Sequence, residues 1–559
     1  MILTLTPILQ RGPHTECAHL RGILEILNHQ SQFTLHSRPL LTLSDCTYEA
    51  SLRNYWEMDK DEEGVSTHDL ALDIMTKSDE LLREMAQLRQ RYDAIRGPHL
   101  SIPGLTILMD GIRQERKAAQ PFLDLNANGS ATSTDESLEA QPAGSRLRYT
   151  NLPAIGRNWD ILKRCRDVVS IEQSIPKKPK VEVKENGGLI VHRTKASRIG
   201  TGMIFVHAVV DGGAEWLRII SKDERRVLLE LAAGGWDWDH EEGDTDDEDD
   251  SELFEDIPTL RTAKELVDTA RKYWHDYHHP RIRILLSRIH EGQSKDMDRV
   301  IQKMRSTGGN DINITVECAD SPLISSQTLP GLNTALSNLV PIEDMSRFGS
   351  TVLLDTSVLI ALISDISHAT VDVQPWHSQD CKAQIRDEAN GINFLTSQAF
   401  PPLRGKRLVC TKEAMDHFRE ISNTIASPAE LERARLLYAG GPKDFQELSI
   451  HPVPEDLMLP VQVLSEEAEL HAADLVQAGR LPEVAINVES HLLSVPGNRT
   501  THLYGWSSGT TVVTSNRSLA KRLVRMIESS LEKDYEDGPR ICTLPYNRAL
   551  ATKGPRRVD

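Results

Sequence analysis

The residues of this chain with the greatest chemical reach are carboxylates set where apolar segments meet. Asp355 closes the run Val352 to Leu354 and is followed by Thr356, Ser357 and a second apolar run, Val358 to Ile363. An ionised aspartate between two core segments is costly to bury unless it is hydrogen-bonded, ion-paired or bound to a metal. A strand that delivers an acid at the start of a helix is how α/β proteins build sites. Asp, Thr and Ser are equally the residues that cap helix N-termini, and this segment alone leaves both readings open. Asp416 lies in TKEAMDHFREIS, with Glu413 three residues before it and Glu420 four after. That spacing puts three acids on one helix face. The face is either a site or the wet side of an amphipathic helix whose core side holds Ala414, Phe418 and Ile421. Glu483 opens LPEVAINVESHLL one turn before Asn487, and VVTSN ends on Thr514, Ser515 and Asn516.

Weaker groupings occur earlier in the chain. Asp211 and Glu215 with Arg218 faintly resemble the spaced acids and base of restriction-type nucleases, with Arg218 in place of the usual Lys, but turn chemistry accounts fully for Asp211. His275, His278 and His279 have metal-like spacing, yet no acid or thiol set completes a site; imidazoles at a helix C-terminus before Pro280 fit as well. The seven cysteines are scattered singly with no CxxC pair, which supports neither a zinc knuckle nor a disulfide framework.

The elements that must position the acids form a regular series from about Pro341 onward. Strands alternate with helices: STVLLD, KRLVC before TKEAMDHFREIS, then TTVVTSNRSLAKRLVRMIESS, and RICTL as a closing strand. Alternation of this kind implies a mainly parallel sheet. Asp444 to Pro460 reads as loop apart from LSIHPV, and SEEAELHAADLVQAG as helix.

This order resembles the PIN domain, a family of metal-dependent ribonucleases. LLDTSVLI fits the family's first strand motif at Asp355, and VVTSNRSLA fits its last strand except that Asn516 stands where an acid is usual. Asp416-His417-Phe418 approximates the second acidic motif. Pro482-Glu483-Val484-Ala485-Ile486 approximates the third, with Glu for Asp. The resemblance covers residues 341–559 and extends to an uncharacterised eukaryotic family with a variable helical N-terminal region before a PIN-like domain.

The resemblance implies hydrolysis of RNA phosphodiesters with Mg²⁺ or Mn²⁺, which bind hard oxygen ligands, activate a water and neutralise charge on the phosphorane. Asp355, Asp416 and Glu483 would be the metal ligands and Asn516 the fourth site residue. Thr514, Ser515, Arg517 and Lys521 would meet the substrate. Arg522 and Arg525 on the same segment would contact an RNA backbone or balance nearby acids. Asn516 removes a charge on which divalent-cation affinity depends. Glu at 483 moves a carboxylate by about 1 Å, a displacement that can cost about a hundredfold in rate. A metal-dependent endoribonuclease and a catalytically degenerate scaffold that binds protein or RNA therefore both stand as expectations.

With 559 residues, the chain is too long for one core. Residues 1–125 read as helical, with apolar spacing in LRGILEILNHQ and in the long run HDLALDIMTKSDELLREMAQLRQRYDAI. Residues 126–146 read as a disordered linker. Residues 147–335 read as a mixed α/β region containing a hairpin, MIFVHAVVDGGAEWLRII, and a helix, TAKELVDTARKYWHDYHH. The overall expectation is an α/β C-terminal domain with a parallel sheet flanked by helices, after a helical N-terminal region and a mixed α+β middle.

The net charge is −18, which argues against a generic nucleic-acid-coating surface. Much of the excess sits in one acidic insertion, 237–256, which has no Lys or Arg and reads as a disordered, solvated tract. The tract or the N-terminal helices are the expected docking sites for a protein partner. KKPK, Lys177 to Lys180, is a weak nuclear-localisation patch. No apolar run reaches the roughly 18 to 20 residues that span a bilayer, and MILTLTPILQRG lacks the basic start and cleavage site of a signal peptide. The expectation is a cytoplasmic or nuclear protein, not secreted and not in a membrane.

Overall fold

The computed structural model describes residues 66–96, 101–127, 147–178, 181–183, 189–191, 202–234, 257–325, 329–340, 348–464, 471–493, 495–535 and 537–550. All of them fall within the compact unit Asn54–Asp559. The 20–30 helix, most of the linker and the acidic tract expected above lie outside the described residues.

Two long helices come first, α1 (Thr67–Arg96) and α2 (Leu105–Ala127), then α3 (Leu152–Leu162) and the strand β1 (Ser170–Pro176). A small ribbon, β2 (Val181–Val183) with β3 (Leu189–Val191), precedes β4 (Met203–Val210) and β5 (Glu215–Asp223). Helices α4 (Glu224–Ala233) and α5 (Pro258–Ala270) lead to β6 (Arg281–Arg288); α6 (Lys295–Ser306), β7 (Ile314–Cys318) and α7 (Leu332–Leu339) follow. The sheet order is β1-β4-β5-β6-β7, antiparallel through the β4–β5 hairpin and parallel from β5 to β7.

Alternation along the strands builds a three-layer sandwich. Leu217, Ile219 and Leu285 face the core shared with α1, α2 and α3. Trp216, Ile220, Ile282, Ile284 and Leu286 face the opposite core, with α4, α5 and α6. Helix α5 stops at Ala270, well short of the expected end. Its last turns give way to a short bridge between His275 and His278.

The second half is a five-stranded, wholly parallel sheet. Strand β8 (Thr351–Leu354) runs into α8 (Thr356–Ile363) and the one-turn α9 (Asp365–His368), followed by α10 (Gln379–Ala389). Strand β9 (Arg407–Thr411) feeds α11 (Lys412–Ile425), α12 (Pro428–Ala439) and α13 (Pro442–Glu447). Next come β10 (Met458–Leu464), α14 (Ala472–Gln477), α15 (Val484–Ser490) and α16 (Pro496–Ser508), then β11 (Thr511–Thr514), α17 (Arg517–Glu528) and β12 (Ile541–Thr543). The order is β10-β9-β8-β11-β12, with every pair parallel. The α/β character and the parallel sheet flanked by helices are as the alternation required.

Strand β8 is apolar from Val352 onward, where both of its faces are covered. Val352 and Leu354 pack with α8, α11 and α12, whereas Leu353 packs with Val409 and Val512 on the other face. Three elements differ from expectation. Helix α13 (Pro442–Glu447) takes up the start of the stretch from Asp444 expected as loop. Strand β10 occupies ground read as loop, because Pro460 argues against a strand interior and is tolerated at a sheet edge. LSIHPV forms no strand. Among the described residues no helix is long and apolar enough to cross a membrane.

Candidate functional site

Strand order reverses between β8 and β11: the chain moves outward from β8 to β9 and β10 on one side, and through β11 to β12 on the other. Open parallel sheets bind ligands at this switch point, outside the C-terminal strand ends. Asp355 and Thr514 sit on its two sides.

Asp355 has its backbone in the extended region and its side chain capping α8. Its Oδ1 accepts the Val358 amide at 3.0 Å and the Ser357 hydroxyl at 2.6 Å. Its Oδ2 accepts the Thr514 hydroxyl. The Asp355 amide donates to the Val513 carbonyl at 3.2 Å. Ser357 accepts the Ser515 amide at 2.9 Å, and Thr514 Oγ1 accepts the Asn516 amide at 2.9 Å. The two strand ends are thus tied into one polar cluster with Asp355 at its centre. Asp355 is 2% exposed, and burial holds its carboxyl above the usual carboxylate range, against the opposing pull of the Ser357 and Thr514 hydroxyls and backbone N–H groups. Ser515 is buried with no partner for its Oγ. Thr356 donates to the Ala414 carbonyl at 3.1 Å, fixing the start of α11 beside α8.

The other expected site residues are elsewhere. Asp416 stands on the solvent face of α11, paired within its own helix to Lys412 at 3.0 Å and to Arg419 at 3.7 Å. Glu420 is exposed on the same helix, 3.6 Å from His417. The core side takes Ala414, Met415, Phe418 and Ser422, so the amphipathic reading describes this helix. Glu483 is exposed at the start of α15 and makes no side-chain cap there. Asn516 is exposed and caps α17 through an Oδ1 that accepts the Leu519 amide at 3.1 Å. Of the four, the structure joins Asp355 and Asn516 through Thr514 and brings neither Asp416 nor Glu483 to them. Among the described residues no group of three or more His, Cys, Asp or Glu side chains could hold a metal ion. The donor set expected for Mg²⁺ or Mn²⁺ does not fit these positions: one acid is spent on internal hydrogen bonds and another on its own helix.

Helix α17 leaves the switch point carrying Arg517, Lys521, Arg522 and Arg525. Lys521, Arg522 and Arg525 are exposed, while Arg517 is half-buried and reaches the Pro545 carbonyl at 3.3 Å. The Lys521 ammonium is held below its ordinary range by partial burial and by repulsion from Arg517 and Arg525. That repulsion marks a face where like charges meet.

Several polar residues at this edge escaped the sequence reading. Thr411, at the end of β9, meets Thr500 at 3.1 Å and Thr501 at 3.3 Å, all three buried. No spacing links residues about ninety positions apart. Ser357 carried a signal, since Asp-x-Ser is a local capping pattern. In the mixed sheet, Arg281 pairs with Asp211, and Arg283 binds Glu215 at 2.7 Å and Glu317 at 2.5 Å. Arg218 donates to the Phe205 carbonyl at 3.3 Å. The acids of the hairpin therefore staple the sheet and make no nuclease-like set with Arg218. His275 and His279 lie in the bridged turn; His279 stacks on Trp274 at 3.9 Å and its Nδ1 is 2.9 Å from the Tyr273 carbonyl. The described cysteines are all buried. The chain matches no protein-family model, no curated protein and no solved structure at a significant level.

Proposed function

We propose that the parallel-sheet half is a PIN-like domain acting as a scaffold that binds RNA through its phosphate backbone, the catalytically degenerate of the two expectations. One observation carries the reading. Both carboxylate oxygens of Asp355 are occupied, Oδ1 in capping α8 and Oδ2 in tying β8 to β11, while Asp416 and Glu483 face solvent. An acid in that state organises the switch point in place of ligating a cation. The cations of α17 begin at the same strand end, and phosphate contacts need only positive charge and reach.

Two measurements on the full chain separate scaffold from ribonuclease. Thermal melts with millimolar Mn²⁺ leave the midpoint unchanged for a scaffold, and RNA incubated with wild type survives as it does with Asp355→Asn. A clear Mn²⁺-dependent rise lost in Asp416→Ala, or cleavage lost in Asp355→Asn, establishes the ribonuclease instead. Binding of a single-stranded RNA should weaken with salt. Reversing the charge of Lys521, Arg522 and Arg525 should lower the log–log slope by about 0.7 for each lost phosphate contact. Salt-independent binding, or none, removes the RNA partner from the proposal.

A further inference from the structure

The far end of α17 from the switch point is held by a side chain of the other sheet. Tyr277, in the turn before β6, is 7% exposed and lies in the core that takes Leu519, Leu523, Met526 and Ile527, the buried face of α17. Its carbonyl accepts the Tyr535 amide at 3.0 Å, and its hydroxyl donates to the Pro539 carbonyl at 3.1 Å. The Tyr535 ring packs edge-on to its own at 6.5 Å. Beside it, the His279 amide donates to Asp534 Oδ1 at 2.8 Å. Gly538 presents bare backbone to the Tyr277 ring: a Cβ there would lie 2.0 Å from it. The segment that leaves α17, residues 529–539, is thus wrapped around one tyrosine of the mixed-sheet half.

The turn that delivers this tyrosine is held against its own preference. Asp276 and Tyr277 have φ of 48° and 68°, the left-handed region that costs non-glycine residues energy and persists only where the surroundings impose it.

Helix α17 is therefore fixed at both ends. Its start is capped by Asn516 beside Thr514, and its last residue, Glu528, gives Oε1 to the Tyr277 amide at 3.5 Å. Arg525 lies in that last turn, exposed and in no ion pair among the described residues. Glu528, three residues on, is the acid that helical spacing would offer it. With Glu528 directed to Tyr277, the Arg525 guanidinium is left for an outside anion.

Resting on the reading of α17 as a phosphate-binding helix, we propose that Tyr277 is a positioning residue for it. By seating the segment that follows α17, the mixed-sheet half fixes the last turn and holds Arg525 ready for an RNA phosphate. A cation held in place beforehand loses less freedom on contact, and that saving appears as affinity.

A fluorescent single-stranded RNA titrated with the full chain over a salt series tests this. Tyr277→Ala should lower the log–log slope by about 0.7, one phosphate contact, and weaken binding about fivefold at 0.1 M salt, the factor that slope gives over a decade of salt. In an Arg525→Gln background Tyr277→Ala should cost nothing more, whereas in a Lys521→Gln background its loss should persist, because only Arg525 shares the last turn. Tyr277→Phe keeps the ring and the backbone bond to Tyr535 and should restore binding. Gly538→Ala crowds the ring from the receiving side and should reproduce the loss without removing Tyr277. Hydrogen exchange checks the structure: the Tyr535 amide should lose protection in Tyr277→Ala while the β8 amides keep theirs. Unchanged affinity and slope in Tyr277→Ala with Tyr535 freely exchanging overturns the proposal. So does a loss that adds in full to that of Arg525→Gln. Binding by wild type that is absent or independent of salt removes the RNA reading itself, so the two failures are distinguishable.

Discussion

Replacing Asp355 tests what that acid is for. Asp355→Ala removes the cap of α8, a loss of about 1 kcal/mol. It also strands the Thr514 hydroxyl, fully buried at the strand end, at about 1–2 kcal/mol for an unsatisfied buried group. Ser357 is half-buried and recovers part of its bond from solvent. The sum is about 3 kcal/mol, or about 6 to 12 °C in the midpoint of a unit this size. Asp355→Asn behaves differently. Its amide oxygen still accepts from Val358 and Ser357, and its amide nitrogen can donate to Thr514. Because burial raises the Asp355 pKa in the fold, its stabilising contribution is fully present below the unfolded pKa and is lost as pH rises through the folded one. As pH rises through the folded pKa the wild type loses that contribution, and the asparagine variant has nothing to lose. Calorimetric melts of the full chain should therefore show the Asp355→Asn midpoint gaining on wild type as pH rises, with Asp355→Ala well below both. An asparagine variant that melts as low as the alanine variant would falsify the structural role, since it would show that the negative charge itself is required.

Three further outcomes follow from packing. Arg433 is 2% exposed and binds Asp365 at 2.8 Å, the Ile363 carbonyl at 2.8 Å and the Leu448 carbonyl at 2.9 Å; Arg433→Met, read by denaturant titration, should cost about 1.5–3 kcal/mol because it takes the charged donor from a half-buried Asp365. Replacing 235–256 by a short Gly-Ser linker should leave the melting midpoint unchanged, because the two feet are already stapled. Glu230 accepts the Thr259 amide at 3.2 Å and hydroxyl at 2.7 Å, and a Cβ on Gly234 would lie 3.3 Å from Ile257. Gly538→Ala should open the Tyr277 seat and raise hydrogen exchange at Tyr535 without lowering the protection of β8, whose hydrogen bonds lie wholly within the parallel sheet.

Much of the parallel sheet was legible. Short apolar runs with no alternation, each followed by a helix-length segment, read as strands covered on both faces because they are too short for helices, and Val352 to Leu354 and Val512 with Val513 lie in such strands. Strand β10 was not legible. Pro460 breaks its pattern, and an edge position is the one context that tolerates it. Of the site, Asp355 and Ser357 carry a local capping pattern, but only the packing decides between a cap and a chemical site. The face of Asp416 was not resolvable, because an acid at helical spacing reads the same on a catalytic face as on a wet one. Only the packing of Ala414, Met415 and Phe418 against the core decides that it points away.

The sequence by itself determined the strand–helix alternation, the basic run of α17 and the concentration of acids in 237–256, since each is a property of near neighbours along the chain. Tertiary structure alone decided which strand lies beside β8, and hence that Thr514 rather than another acid meets Asp355. It alone seated Tyr277 against Gly538 and Glu528 more than 250 positions away. Register and docking are settled by how whole faces exclude water together, and no local pattern carries that information.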